Sequence, residues 1–167
     1  FESHIGGCGI NTAVAAAKAE SAVGFFCKIS SDLFGKRHLE HLVGNKVMYD
    51  PMLCNAPEPS LLAFASLDAA GKASYAFYWK NSAPVSMSVE ELLQTMKEHT
   101  DLKVVHIGSL ALTLDPIGEV ILEALERYEP KPIVFLDPNV RPSVIDDWDR
   151  YRIHIEKAVD LASIVKL

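Results

Sequence analysis

The sequence predicts an α/β protein: a doubly wound, mainly parallel sheet flanked by helices, with a small β-hairpin set into it. Three observations carry the prediction. Short apolar runs alternate with helix-length amphipathic stretches, as strand-helix-strand crossovers require. The first such run, Ala22 to Ile29, holds Val23, Phe25 and Phe26 and suits a buried strand. Between Leu61 and Trp79, two strand-like runs instead surround Asp68-Ala69-Ala70-Gly71, a loop with turn chemistry.

The elements follow in order. Thr12 to Ala19 is alanine-rich and predicts a helix, and Ala22 to Ile29 a strand after it. Leu33 to Val43 spaces Leu39, Leu42 and Val43 among Lys36, Arg37, His38, Glu40 and His41, which predicts a helix lying on a sheet with its polar side in water. Leu61 to Leu67 and Ala73 to Trp79 form the hairpin, an insertion covering one edge of the main sheet. Ser88 and Glu91 make a capping-box pattern ahead of a helix through about His99, followed by a strand at Val104 to Ile107. Asp115 and Pro116 open a helix through about Tyr128. Then come a strand at Ile133 to Asp137, a polar loop to about Asp149, a helical stretch to about Asp160 and a strand at Ile164 to Lys166.

The 167 residues are 49% hydrophobic and 23% charged, enough for one folded domain with a proper core. The 22 acidic residues outnumber the 16 Lys and Arg and are spread along the chain, so no basic stripe invites nucleic acid. No apolar run approaches the roughly 20 residues that span a bilayer. Cys8, Cys27 and Cys54 are widely spaced and odd in number, which fits reduced thiols and a cytoplasmic location. They have no metal-site or redox spacing. His38 and His41 are spaced to share a helix face but lack a third ligand, so a solvated face is expected rather than a metal. The chain opens on phenylalanine and ends on what reads as a strand being entered, both expected of a piece of a longer protein.

In open α/β sheets, ligands bind beyond the carboxyl ends of the strands. Two strand ends are unusual. After the first, His106-Ile107-Gly108-Ser109 brings a glycine that permits close approach of a ligand or another backbone. After the second, Asp137-Pro138-Asn139-Val140-Arg141-Pro142 sets a carboxylate, an amide and a guanidinium on a stiffened loop. Two readings of that loop stand side by side. Asp137 caps a turn, Asn139 takes a turn conformation and Arg141 pairs with Asp146 or Asp147; or Arg141 clamps a phosphate or sugar oxygen. Near the start, Gly6-Gly7-Cys8-Gly9-Ile10-Asn11 precedes a helix, so backbone amides can approach a polar ligand and the Asn11 amide can donate and accept to a diol. Cys8 is the one thiol placed to line such a pocket. The loop departs from the dinucleotide fingerprint, since Thr12 stands where a third glycine or alanine belongs. That argues against a nicotinamide-dependent dehydrogenase.

Taken together, these pieces resemble the ribokinase or PfkB family of carbohydrate kinases. Gly6-Gly7-x-x-x-Asn11, with Gly24, Asp32 and Gly35 further on, is similar to the family's first signature over residues 5 to 40. The hairpin, about residues 58 to 84, resembles the family's β-strand lid, and Phe77-Tyr78-Trp79 stands where members place contacts to substrate. Trp79 occupies what looks like an arginine position, so a neutral sugar is expected over a carboxylate-bearing one. The runs from His106 to Leu110, from Leu136 to Pro142 and from Asp160 to Lys166 look like bacterial fructokinases.

The resemblance implies that residues 1–167 are part of one ribokinase-like domain. It implies transfer of the ATP γ-phosphoryl group, with Mg2+, to a sugar hydroxymethyl group, fructose ahead of ribose, ketodeoxygluconate or a nucleoside. It assigns sugar binding to Gly6, Gly7, Asn11, Phe77, Trp79 and Arg141, with Arg141 also on the phosphate side, and nucleotide contact to Asn139. A homodimer through the lid is a further implication. The family's catalytic base is an aspartate in a GAGD-type motif, which is missing here, the last glycine being Gly118. No catalytic base and no ATP-binding portion are therefore expected in these residues, and the fragment is expected to be inactive. The other reading from the same motifs is a non-catalytic sugar-binding protein.

Overall fold

The computed structural model describes residues 2–67 and 73–166. The expected turn at Asp68-Ala69-Ala70-Gly71 lies outside the described residues. Among the described residues the helices are α1 (Cys8–Lys18), α2 (Leu33–Gly44), α3 (Val89–Glu98), α4 (Leu110–Thr113), α5 (Ile117–Arg127) and α6 (Trp148–Leu161). The strands are β1 (Leu62–Leu67), β2 (Ala73–Tyr78), β3 (Val104–Gly108), β4 (Ile133–Asp137) and β5 (Ile164–Val165). β3, β4 and β5 form a parallel sheet in that order, while β1 and β2 pair antiparallel with Leu62 opposite Tyr78. The α/β class, the parallel sheet and the hairpin agree with the sequence.

Local chemistry explains where several elements begin. Ser88 caps α3 by accepting from Glu91 N, and the Glu91 carboxylate accepts from Ser88 N, so the expected capping box is complete. Asp32 caps α2 by accepting from Gly35 N, and Asp147 caps α6 through the amides of Asp149 and Arg150. Gly35 is fixed by packing, because a Cβ there would collide with the Ser30 carbonyl and stand 2.7 Å from its carbon.

Four expectations need correction. The first helix begins at Cys8 rather than Thr12, because Gly7 at φ 120° turns the chain into the helix there. Asn11 therefore lies inside α1, its N–H donating to Gly7 O at 2.9 Å. The run Ala22 to Ile29 forms no regular strand. It is extended and meets residues 48 to 56 in parallel only at isolated bridges, Gly24 with Met48 and Ser30 with Ala56. Its partner carries a 3-10 turn at Pro51–Leu53, where proline has no N–H to give, and the ladder is interrupted. No element was assigned between the strand ending at Ile107 and the helix opening at Asp115, yet Leu110–Thr113 winds into the single turn α4. Finally, His38 does not sit on a solvated face: it is half-buried with its ring 6.2 Å from that of Phe25, and burial, then neighbouring His41, pushes its pKa down.

The buried residues gather into two cores. The larger joins α3, α4, α5, α6 and the sheet through residues such as Leu93, Leu112, Leu122, Val134 and Leu136. The smaller joins α1 and α2 through Ile10, Ala13, Ile29, Leu42 and Val47. Phe25 packs on the smaller core and Phe26 on the larger, so the extended segment that carries them touches both. Each fully buried leucine contributes about 1.5–3 kcal/mol by leaving water. No helix among the described residues is long and apolar enough to cross a membrane.

Candidate functional site

The site is built where β3 and β4 end side by side. Their register sets Gly108 opposite Asp137. Gly108 has φ 150°, and a Cβ on it would overlap the Asp137 carbonyl oxygen and stand 2.6 Å from the carbonyl carbon. Only glycine lets the two backbones close up there. The next residue, Ser109, is 5% exposed and holds φ 53° and ψ −136°, a sparsely populated conformation for a residue with a side chain. It is held by its N–H, which donates to the carbonyls of Asp137 at 3.2 Å and Pro138 at 3.1 Å. Asn139, at φ 37°, donates from its side-chain amide to Ser109 Oγ at 3.4 Å. Two strained residues thus brace each other across adjacent strand ends.

Charge is concentrated at the same place. Lys166, just past β5, donates from Nζ to Asp137 Oδ2 at 2.8 Å, and its N–H extends the ladder to Leu136 O. The lysine hydrogen bond holds the Asp137 carboxyl below the usual carboxylate range, and the carboxylate in turn raises the Lys166 ammonium. His106 lies one strand over, its ring 5.5 Å from that of Phe135. Burial pushes its imidazole down, with Asp137 opposing and Lys166 adding to the shift.

The first turn of α1 borders this end of the sheet. The helix packs on β3, and Cys8 lies close enough to Lys166 for its charge to bear on the ammonium. Gly6, Gly7 and Asn11 are exposed there. Arg141, in the loop after β4, is exposed as well. The pairing with Asp146 or Asp147 does not form: Asp146 meets Lys80 at 3.7 Å and Asp147 is occupied as the α6 cap. Among the described residues no acid pairs with the Arg141 guanidinium.

The hairpin aromatics are placed differently from one another. Phe77, half-buried, stacks on Tyr75 at 6.0 Å. Trp79 lies past the end of β2 and packs against the larger core, with Lys80 Nζ 5.6 Å from its ring centre. It also lines a cavity of about 50 Å3 with Asp115, Arg150, Tyr151 and His154. Arg150 spans Asp115 at 3.1 Å and Glu119 at 2.9 Å at its edge. The Tyr151 hydroxyl and His154 Nε2 point into the protein without a hydrogen-bond partner, so the space suits small polar occupants such as water.

Sequence reasoning missed two residues of the site, Ser109 and Lys166. A serine directly after a strand-ending glycine and a lysine at the end of a parallel strand were the available signals. No cluster of His, Cys, Asp or Glu able to hold a metal occurs among the described residues, and the one glycine beyond Gly108, Gly118, is buried within α5 against His154.

The fold is ribokinase-like, a parallel α/β sheet with strained loops gathered at adjacent carboxyl strand ends and a separate two-stranded hairpin. The chain belongs to the pfkB family of carbohydrate kinases, whose family model matches residues 1–167. It is 32% identical over 166 residues to a fructokinase of Rhizobium leguminosarum bv. trifolii, covering 99% of this chain and 49% of that protein. A fructokinase of Vibrio alginolyticus is 30% identical, covering 96% and 52% respectively. A crystal structure of a fructokinase with bound ATP from Xylella fastidiosa matches with a TM-score of 0.83 at 28% identity, over 96% of this chain and 50% of that one. The chain spans about half the length of the curated relatives it matches.

Proposed function

We propose that the chain is the sugar-side portion of an ATP-dependent sugar kinase that phosphorylates a hydroxymethyl group, with fructose as the acceptor. The observation that carries this reading is Arg141: an exposed guanidinium without an acidic partner among the described residues, beside a strained and well-braced pair of strand ends. A permanently charged, planar group left unpaired next to preorganised backbone is suited to an anionic or oxygen-rich ligand.

In this reading, Gly6, Gly7 and Asn11 hold sugar hydroxyls at the start of α1, the side-chain amide both donating and accepting. Phe77 and Trp79 contribute apolar surface from the hairpin, which acts as a lid. A tryptophan at 79 offers no charge to a ligand carboxylate, in keeping with a neutral sugar. Arg141 lies at the edge between the sugar and the phosphate that is transferred, and Asn139 is the candidate on the nucleotide side. ATP with Mg2+ would supply the phosphoryl group. Excluding water is the lid's chemical contribution, since water competes with the sugar as phosphoryl acceptor. Residues 1–167 contain no GAGD-type motif to supply a catalytic base, and in this reading they bind sugar without turnover on their own. A homodimer through the hairpin is part of the proposal, supported by the exposed rings of Tyr75 at 55% and Tyr78 at 63%. The three cysteines are free thiols, which supports a reducing compartment such as the cytoplasm.

The test is coupled ADP release by the intact protein with Mg-ATP against a panel of ketoses, pentoses, aldonates and nucleosides. Fructose is expected to give the highest kcat/KM. Preference for an aldonate or a nucleoside would overturn the assignment of substrate, and no turnover with any sugar would overturn the kinase reading.

A further inference from the structure

The two feet of the hairpin are fastened in different ways. On the exit side, Ser82 is 1% exposed and donates from Oγ to Trp79 O at 2.6 Å, and its N–H reaches the same carbonyl at 3.0 Å. Trp79 itself is packed on the larger core. Ala83, fully buried, donates its N–H to Pro59 O at 2.8 Å and so ties the exit foot to the entry foot.

On the entry side, a side chain from another element bonds to the foot. Asp32 is the cap of α2, and its Oδ1 accepts from Gly35 N at 2.8 Å. The same carboxylate reaches across to the hairpin: Oδ2 accepts from Ser60 N at 2.8 Å and Oδ1 from Ser60 Oγ at 2.8 Å. Three donors converge on one carboxylate, two of them from a residue 28 positions away in sequence. Asp32 N in turn donates to Ser30 Oγ at 3.1 Å, and Ser31 N to Ala56 O at 2.8 Å, so the residues before the cap are tied down too. Partial burial pushes the Asp32 carboxyl up, but the hydrogen bonds from Ser60, Gly35 and Ser30 outweigh it and hold the group at about 2. The carboxylate is charged at every physiological pH.

Beyond the feet the described residues of the blade are mostly exposed. Leu61 and Trp79 still pack on the core, whereas Ala63, Phe64, Ala65 and Ser66 on one strand and Ser74, Tyr75, Ala76 and Tyr78 on the other are exposed. Both faces of the blade are represented in that set.

We infer that Asp32 is a positioning residue for the hairpin: one carboxylate caps α2 and clasps Ser60, fixing the posture of the hairpin relative to the sheet ends from outside the sugar pocket. The consequence for catalysis rests on the proposed lid function, but the clasp itself does not. The arrangement has a physical logic. A neutral pair at this position would be exchanged easily for water, whereas a charged acceptor with convergent donors makes bonds roughly twice as strong. Asparagine at 32 keeps an acceptor for Gly35 but turns its amide nitrogen, a donor, toward one of the two Ser60 donors.

The experiment compares Asp32→Asn, Ser60→Ala, their combination and Ser60→Thr with the parent in the intact protein, by hydrogen exchange and by steady-state kinetics. The clasp predicts that exchange of the Ser60 amide and of the hairpin amides next to it rises about tenfold or more in Asp32→Asn, with a smaller rise in Ser60→Ala. The two changes combined are expected to add little to Asp32→Asn alone, because both break one contact. Ser60→Thr keeps the hydroxyl and is expected to behave as the parent. With a lid, the sugar KM rises about three- to tenfold in Asp32→Asn while kcat changes less than twofold. Unchanged exchange at Ser60 and the hairpin in both Asp32→Asn and Ser60→Ala overturns the clasp. Faster exchange with an unaltered KM supports the clasp and overturns the lid reading instead. Ser60→Ala alters no helix cap, so the clasp is still tested if Asp32→Asn fails to fold.

Discussion

Alanine at position 108 would put a methyl group where the Asp137 carbonyl already sits, 2.6 Å from its carbon. The obstacle is backbone, not the end of a flexible side chain, so nothing can rotate away. Alanine would also have to hold φ 150°, which L-residues avoid at a cost of about 1–3 kcal/mol. Relief requires parting β3 and β4 at their last register pair, with loss of the Ser109 N–H bonds to Asp137 and Pro138, about 1 kcal/mol each. The sum for Gly108→Ala is about 3–5 kcal/mol, a large fraction of the roughly 5–15 kcal/mol that holds a domain together. At about 2 °C of Tm per kcal/mol for a domain of this size or larger, the melting temperature falls by about 6–10 °C. Thermal and urea unfolding of the intact protein, followed by circular dichroism, measure it. The sugar KM rises in any variant that stays folded, because the Asp137 to Arg141 loop shifts with the strand end. A Gly108→Ala protein with its urea midpoint and KM unchanged would refute the close approach of the two strands and the account of the site built on it.

Asn11→Ala is expected to raise the sugar KM about tenfold or more with kcat much less affected, and an unchanged KM removes Asn11 from the sugar site. Arg141→Ala is expected to lower kcat by about 10²-fold, as loss of a charge-stabilising donor does; full turnover in that variant removes Arg141 from the phosphate side. The Asp32 carboxyl is held at about 2 in the folded protein against an ordinary 3.8, so its contribution to stability is complete above about pH 4 and is lost as the pH falls toward 2. Asp32→Asn is accordingly less stable than the parent at pH 7, and the gap in urea midpoint closes between pH 4 and pH 2. A gap that stays constant over that range contradicts the depressed titration.

The order of elements was legible because it is written in local chemistry. The Ser88 and Glu91 box, the apolar run of β4 and the two hairpin runs each carry their signal within a few residues, and each formed as read. The Gly6 to Asn11 loop and the loop from Asp137 to Pro142 were likewise visible as unusual strings beside a predicted helix or strand. What failed depended on a distant partner. Ala22 to Ile29 has a strand's composition, but whether it forms a ladder is decided by Pro51 on the other side. His38 has a polar residue's place in the helical pattern, yet Phe25 covers it.

The site divides along the same line. Composition and spacing determined that the chain is a parallel α/β protein with candidate ligand groups at its strand ends, since periodicity and turn chemistry act over one or two turns of chain. Tertiary structure alone decided that Gly108 must meet Asp137, that Lys166 neutralises Asp137 while no acid among the described residues pairs with Arg141, and that Asp32 reaches 28 residues along the chain to hold Ser60. Contacts of that kind are set by register and by the approach of backbones within a few tenths of an ångström. A linear pattern records which groups are present and how they are spaced, and only the folded chain brings a carboxylate and its donors to 2.8 Å.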